Sequence, residues 1–181
     1  MSEPGAEGAA AGDYDLTPRP PGASAVTLIQ QMELADANLL GNVHGGVIMR
    51  LVDTAAGLAA MKHVGGPAVT VAMDGMSFLE PVVVGDVVTV RALVNDAGRT
   101  SLEVGVRVEA ENIATGRRTH TSSAYLVFVA LGPDGRPRPV PPVAPESDLD
   151  LRRQHEAKLR REARLARTAA IERIREERGE A

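Results

Sequence analysis

The hydrophobic positions of this chain follow two different periods, one before and one after residue 65. Between residues 45 and 63, apolar side chains recur with the spacing of one broad helical face, and Gly65-Gly66-Pro67 then ends the helix. Beyond this stop, apolar and polar residues alternate, which is typical of half-buried strands. The alternation predicts four strands, at residues 68–78, 87–95, 101–111 and 117–131.

A further strand is predicted before the helix, at residues 25–34, and a polar, glycine-containing loop over residues 36–42 joins the two. Short turns connect the last four strands, so consecutive strands are expected to run antiparallel. The helix is apolar over so much of its surface that it needs cover on most sides. We therefore predict an α+β fold in which an antiparallel sheet of about five strands wraps around one long central helix.

The two ends of the chain differ in composition from this central domain, which covers residues 25–131. Residues 1–24 are rich in Gly, Ala and Pro, and this composition predicts a disordered leader. Residues 132–146 contain half of the chain's prolines and predict an extended connector. Ser147 is the expected N-cap of a long charged helix, which forms a C-terminal arm over residues 147–181.

The C-terminal arm carries a narrow apolar stripe, and two interpretations of it stay open. It forms either a solvated, loosely docked helix, or a helix whose arginines meet an acidic neighbour or the phosphates of a ligand. The stripe consists of Leu159, Ala163, Ala166, Ala170 and Ile174, and the arginines in question are Arg152, Arg153, Arg160 and Arg161.

Composition narrows the classes of function. The chain has no cysteine, which excludes disulfides, cysteine nucleophiles and thiolate metal sites and fits a reducing compartment. It has no apolar run close to the roughly 20 residues that a membrane helix needs and no signal-peptide pattern, so we expect a cytoplasmic protein without membrane insertion. Its net charge of −4 argues against nucleic acid as a partner, and its four histidines do not have metal-site spacing.

Candidate chemistry is concentrated at the start of the central helix. The loop brings an amide, Asn42, and an imidazole, His44, next to Gly45 and Gly46, whose small size leaves the backbone N–H groups accessible. A helix N-terminus favours negative charge. About two turns further on, Asp53 interrupts an otherwise apolar run, and a carboxylate in such a place is costly unless it is paired. These features predict a hydrolytic site.

These residues resemble those of a known family. The order of elements, the loop over residues 41–46 and the helical Asp53 are similar to those of the hotdog-fold acyl-coenzyme A thioesterases. The likeness is greatest to the bacterial single-domain type, which is similar to the cytosolic tandem-hotdog acyl-CoA hydrolases, and it covers residues 25–164. It extends to residues 69–74, 78–82, 85–86, 98–101, 115–116 and 124–130.

The resemblance implies an assembly as well as a fold. Two protomers join their sheets side by side, three such dimers form a hexamer, and the active site lies at the dimer interface. The family's catalytic pair is a loop asparagine and a helical aspartate from opposite protomers, and here those positions are Asn42 and Asp53. The substrate is an acyl-CoA thioester, and the reaction needs no metal or other cofactor.

The implied chemistry is hydrolysis to a free fatty acid and coenzyme A. Backbone N–H groups at Gly45 or Gly46 would stabilise the oxyanion. Asp53 would act as general base toward water or as the nucleophile, and Asn42 would orient the water. His44 would either order the loop or contact the substrate. The turn residues Arg99, Thr100 and Ser101 are the candidates for binding the phosphates of coenzyme A.

Simpler roles and other functions stay open at this point. Asp53 could pair with Arg50 one turn earlier, Asn42 could be a turn residue, and Arg99 could be a solvated side chain. Two other functions are compatible with the fold: a dehydratase for 3-hydroxyacyl thioesters and a non-catalytic acyl-CoA-binding protein. Neither has a distinctive motif in this chain.

Overall fold

The computed structural model describes residues 14–179, and it confirms an α+β fold with five strands, a central helix and a C-terminal helix. Each predicted strand and helix is present, with ends that differ by a few residues. The elements are β1 (Val26–Gln31), α1 (Gly45–Val64), β2 (Ala68–Phe78), β3 (Val87–Ala97), β4 (Ser101–Glu111), β5 (Arg118–Ala130) and α2 (Asp148–Glu177). Short 3-10 turns at Pro21–Ser24 and Leu34–Asp36 flank β1.

The five strands form one antiparallel sheet in the order β1-β3-β4-β5-β2, so β1 and β2 are its edges. Alternate residues of β3 and β4 point toward α1 and are fully buried there, which explains their period-two pattern. Because aromatic residues are scarce, this core is built almost entirely from Val, Ala, Leu and Ile side chains. Its central members include Val52, Ala56, Val90, Val104 and Phe128.

Residues 14–24 are packed against the domain, so for this segment the prediction of a disordered leader is wrong. Ser24 is buried, donates a hydrogen bond to Pro21 O (2.7 Å) and accepts one from Val94 N (2.9 Å). The Arg19 guanidinium donates to the carbonyl of His63 (2.7 Å) in the last turn of α1, where a cation complements the helix dipole. The first 13 residues of the predicted leader lie outside the described residues.

The proline-rich connector also packs onto the domain. The Arg138 side chain donates to Val64 O (2.9 Å) at the end of α1 and lies over the Tyr14 ring, 4.5 Å from its centroid. Val140 and Val143 are buried in the core. The connector thus holds its extended path through specific contacts and delivers the chain to the start of α2.

The α2 helix lies on the face of the sheet opposite α1, where it is held by ion pairs. Arg160 binds the buried Glu103 of β4 through two hydrogen bonds (2.8 and 3.0 Å) and lies 3.6 Å from the centroid of the Tyr125 ring. Arg164 pairs with Asp74 of β2. Of the two interpretations of the arm, the first half of α2 fits the one in which an arginine meets an acidic neighbour.

His63 makes stability depend on pH. It is buried, its Nε2 lies 3.0 Å from Pro141 O, and its Nδ1 has no hydrogen-bond partner among the described residues. Burial lowers the pKa of His63 below its ordinary value. The unfolded chain therefore binds a proton near pH 6.5 that the folded chain binds only at lower pH, so the free energy of unfolding falls as the pH drops below about 6.5.

We expect His63→Gln to flatten this dependence, because glutamine cannot take up the proton. Urea unfolding between pH 5 and 8 measures it. His155→Gln, at an exposed histidine of α2, is the matched control and should keep the wild-type slope. Equal slopes in wild type and His63→Gln would contradict the assignment.

Candidate active site

His44 caps the N-terminus of α1. Its Nδ1 accepts a hydrogen bond from Gly46 N (2.8 Å), and its own backbone N–H donates to Asp36 O (2.8 Å). Because Nδ1 is the acceptor, the proton of the neutral ring lies on Nε2, which can donate outward. The N–H of Gly46 is therefore already used, whereas the N–H of Gly45 has no acceptor among the described residues. This leaves Gly45, of the two predicted oxyanion donors, as the open one.

The absence of a side chain at Gly46 makes the cap possible. A Cβ there would lie 2.9 Å from His44 Nδ1 and 3.1 Å from Cε1, whereas a Cβ at Gly45 would make an ordinary 3.5 Å contact with the Phe78 ring. We expect Gly46→Ala to lower the free energy of unfolding by about 1 kcal/mol more than Gly45→Ala, since it costs the cap. Urea unfolding measures this difference. In a His44→Ala background the difference should disappear, and its persistence there would contradict the cap.

Asp53 lies on the exposed side of α1, not within the core as the apolar run had indicated. Its Oδ1 accepts a hydrogen bond from Thr70 Oγ1 of β2 at 2.7 Å. No ion pair joins it to Arg50 among the described residues, so the simpler role considered for it is absent here. The second carboxylate oxygen has no hydrogen-bond partner among the described residues.

Thr70 is the residue at this site that the sequence did not single out. The sequence shows a threonine within an alternating strand, and nothing in it says which helix residue that threonine faces. The sheet order brings β2 to the edge beside α1, and the ladder shifts register directly after Thr70. A hydroxyl that donates a hydrogen bond to one carboxylate oxygen fixes the orientation of the whole carboxylate, and with it the position of the second oxygen.

The loop before α1 holds two asparagines in different ways. The side-chain oxygen of Asn38 accepts from Leu40 N (2.8 Å) and Asn42 N (3.3 Å), which fixes the orientation of the amide and leaves its NH₂ group without a partner among the described residues. Asn42 contributes its main chain to a bridge with Val83, and its side chain makes no hydrogen bond in the described part of the chain. Only Asn38 thus presents an amide donor in a fixed direction.

Asp53 is surrounded by exposed apolar side chains of α1 and β2. We call this set of side chains, at the β2 edge of the sheet, the open apolar strip. A long edge strand with exposed apolar side chains is a ready site for pairing with another strand. The strip and Asp53 are therefore expected to be covered in the functional protein. Its members are Met49, Met61, Val71 and Phe78.

The turn with the predicted coenzyme-binding residues lies at the same end of the sheet as Thr70. Leu102 pairs with Phe128, and Phe128 pairs with Thr70, so this end of β4 lies two strands, about 10 Å, from Thr70. Arg99 is exposed and forms no ion pair among the described residues, while the carbonyl of Thr100 accepts from Ala130 N. Ser101 begins β4.

Residues 14–179 contain neither a metal-binding cluster nor a membrane-spanning helix. No group of three or more His, Asp or Glu side chains in this range is arranged to hold a metal ion. No helix in the same range is both long and apolar enough to cross a membrane.

Comparisons with known proteins agree on one family. The sequence model of the thioesterase superfamily matches residues 40–116. The acyl-CoA thioester hydrolase YciA of Salmonella typhimurium is 38% identical over 110 residues, which cover 59% of this chain and 83% of that protein. The cytosolic acyl coenzyme A thioester hydrolase of Mus musculus is 33% identical over 134 residues, but the matched region is only 35% of that longer protein.

Solved structures extend the match to nearly the whole of the other chains. A hexameric acyl-CoA thioesterase in its apo form has a TM-score of 0.82 and 36% identity over 84% of this chain and 98% of its own. The acyl-CoA hydrolase of Staphylococcus aureus, solved with butyryl coenzyme A and coenzyme A, has a TM-score of 0.81 and 32% identity over 89% and 98%. Variants of it have been solved in which an aspartate, an asparagine or a threonine is replaced by alanine. The chain belongs to the hotdog-fold acyl-CoA thioesterases of the thioesterase superfamily.

Proposed function

We propose that this protein hydrolyses acyl-CoA thioesters to free fatty acids and coenzyme A, with Asp53 as the group that activates water or attacks the substrate. The observation that carries the proposal is the Asp53 carboxylate, which Thr70 orients on the exposed face of α1 in a chain of this family. A carboxylate with one oxygen fixed by a hydroxyl and the other open can accept a proton from water.

The asparagine of this site is Asn38 in our proposal, in place of the predicted Asn42. In the Staphylococcus aureus variants, the replaced aspartate follows the asparagine by 15 positions and precedes the threonine by 17. Asn38, Asp53 and Thr70 have the same two spacings in this chain. The fixed amide of Asn38 supports the same choice, because its NH₂ group is free to bind a water molecule or an oxyanion.

One complete site takes groups from two chains. Gly45 and Asp53 are eight residues apart on one helix, which is about 12 Å at 1.5 Å per residue. An oxyanion donor must lie about 3 Å from the carbonyl oxygen, and the base must reach the attacking water over a similar distance. These reaches do not span 12 Å, so the N-terminus of α1 in one protomer serves the Asp53 of another. The open apolar strip around Asp53 supports a partner at this place.

The steps of the reaction follow from these positions. Asp53 takes a proton from water as the water oxygen attacks the thioester carbon, the C–S bond breaks, and the coenzyme A thiolate leaves and is protonated. The Gly45 N–H and the Asn38 amide, both from the partner protomer, stabilise the negative charge on the carbonyl oxygen. Direct attack by Asp53, with a mixed anhydride that water then hydrolyses, uses the same groups.

Thr70→Val should lower kcat/KM by about 10- to 100-fold, because a hydrogen bond to a charged group is worth roughly 1.5–3 kcal/mol. The measurement is steady-state thiol release. Thr54→Val is the matched control: Thr54 lies beside Asp53 on the exposed side of α1, but its hydroxyl donates to Arg50 O (2.8 Å). If the two variants lose the same activity, Thr70 does not orient Asp53.

The assembly proposed for this chain is a homodimer joined along β2, with three dimers in a hexamer. A hexamer is supported by the similar thioesterase that is hexameric. Acyl-CoA is the substrate, and no further cofactor takes part. Arg99, Thr100 and Ser101 bind the phosphates of coenzyme A in this proposal, since they lie at the same end of the sheet as Thr70. The proposed location is the cytoplasm.

The direct test is release of free thiol from acyl-CoAs between acetyl and palmitoyl chain length. We expect turnover with at least one of them and equal amounts of fatty acid and coenzyme A. Coenzyme A binding without turnover on any substrate would overturn hydrolysis and favour a non-catalytic acyl-CoA-binding protein. Loss of water from 3-hydroxyacyl-CoA without thiol release would favour the dehydratase, although the His44 ring already has a structural partner.

A further inference from the structure

The α2 helix continues beyond the edge of its own sheet. Along the helix, Arg160 pairs with Glu103 of β4, and one turn later Arg164 pairs with Asp74 of the edge strand β2. The remaining 13 residues, 165–177, reach about 20 Å further. With the exception of the partly exposed Ala170 they are all exposed, so no other described part of the chain covers this half of the helix.

The apolar stripe of α2 is on a different side of the helix from the residues that hold it on the sheet. The sheet-facing positions are Ala157, Arg160 and Arg164. At 3.6 residues per turn, the stripe lies about 110° around the helix from them. Leu159 and Ile174 are half exposed, and the alanines between them are exposed or partly exposed. The stripe is thus a separate face that docking on the sheet leaves uncovered.

Four of the five residues of this stripe are arranged symmetrically along the helix. Leu159 and Ile174 are equally far from a midpoint between residues 166 and 167, and so are Ala163 and Ala170. An antiparallel copy related by a two-fold axis at this midpoint would place Leu159 on Ile174 and Ala163 on Ala170. Contacts in a two-fold dimer need such a self-complementary surface, and small residues at the centre allow two helices to approach closely.

The edge of the sheet places a two-fold axis at nearly the same point. If β2 pairs with its copy over its whole length, the axis passes beside its middle residue, Met73, next to Asp74. The seam lies half a strand spacing, about 2.4 Å, beyond β2. Along a helix that crosses the strands, this is about two residues beyond Arg164, at residue 166. The symmetry of the α2 stripe and the position of the β2 edge therefore give two independent estimates of the axis, and both place it near residue 166.

We propose that α2 packs antiparallel against α2 of a second copy of this chain, through the stripe centred on Ala166, across the axis that pairs the two β2 strands. The inference rests on the dimer in the proposed function and adds a second contact to it, on the face of the sheet opposite the active site. The contact ties the β2 strands, and with them Thr70 and Asp53, to the partner protomer.

Cysteine cross-linking tests the contact without background, because the chain has no cysteine of its own. Under mild oxidation, most Ala166→Cys chains should form disulfide-linked dimers, since position 166 and its copy in the second protomer meet at the axis. Leu165→Cys is the matched control: it is adjacent and exposed but lies on the other side of the helix, and it should cross-link at least tenfold more slowly. Equal rates for the two variants would overturn the proposal.

A second variant separates this inference from the proposed function. Ala166→Asp places two like charges at the axis and should lower the Tm at a fixed protein concentration, whereas Leu165→Asp should not. Unchanged Tm in an active dimer, together with no cross-linking of Ala166→Cys, would overturn the helix contact and leave hydrolysis intact. A wild-type chain that is monomeric and inactive would overturn both.

Discussion

Replacing Asp53 with asparagine should reduce kcat/KM for acyl-CoA hydrolysis by about a thousandfold or more, because the variant has neither a base nor a nucleophile at this position. Asparagine is nearly isosteric with aspartate and can still accept the hydrogen bond from Thr70 Oγ1. Folding and assembly should therefore be retained. Steady-state thiol release over a range of substrate concentrations gives kcat and KM separately, and the loss is expected mainly in kcat.

Asp134→Asn is the matched control for this variant, because Asp134 is an exposed aspartate in the turn that follows β5. It should retain wild-type activity. An Asp53→Asn protein that assembles normally and keeps more than about a tenth of the wild-type kcat would show that Asp53 is not the reacting group, since a lost base or nucleophile costs far more.

Asn38 and Asn42 should differ sharply in their effect on activity. We expect Asn38→Asp to lower kcat/KM by about a hundredfold or more, as the loss of one donor to a developing oxyanion does. The aspartate keeps the oxygen that accepts from Leu40 N and Asn42 N, so the turn is retained while the NH₂ donor is removed. Steady-state thiol release measures the change.

Asn42→Asp is the matched control, since it adds the same charge four residues away in the same loop. It should lower activity only slightly, because the main chain of Asn42, not its side chain, holds the loop to Val83. A larger loss in Asn42→Asp than in Asn38→Asp would restore the assignment that the sequence suggested.

Secondary structure was predictable here because each element buries one face. The strand at residues 101–111 is an example: Leu102, Val104, Val106 and Val108 all point to α1, and each alternates with a residue on the other face. The helix was equally clear, and Gly65 at its end adopts the left-handed conformation, with φ of 68°, that a C-terminal glycine stop requires.

The parts of the proposed site that the sequence did not identify depend on contacts that exist only in the folded chain. Thr70 is 17 residues from Asp53, and only the position of β2 at the edge of the sheet brings them together. Asn38 and Asn42 belong to one short loop, and only the hydrogen bonds of the folded loop show which amide is fixed. Hydrophobic periodicity contains neither kind of information.

The same reasoning explains why two predictions were wrong, namely that Asp53 lies in the core and that residues 14–24 are disordered. Periodicity reports that a surface is apolar but not what covers it, so α1 looked buried around Asp53 although its own sheet leaves that side open. Residues 14–24 have little to bury and looked disordered. They are held instead by polar contacts of Arg19 and Ser24, which composition does not reveal.

Mixing two inactive variants tests the central claim most directly, namely that Asn38 and Asp53 act in one site contributed by two chains. Asn38→Asp and Asp53→Asn chains would be unfolded together, refolded and assayed for thiol release. Random pairing gives half of the dimers as mixed ones with one intact site each, so we expect about a quarter of wild-type activity. Native mass spectrometry shows whether mixed dimers form. If they form but the mixture is no more active than either variant alone, the account is contradicted.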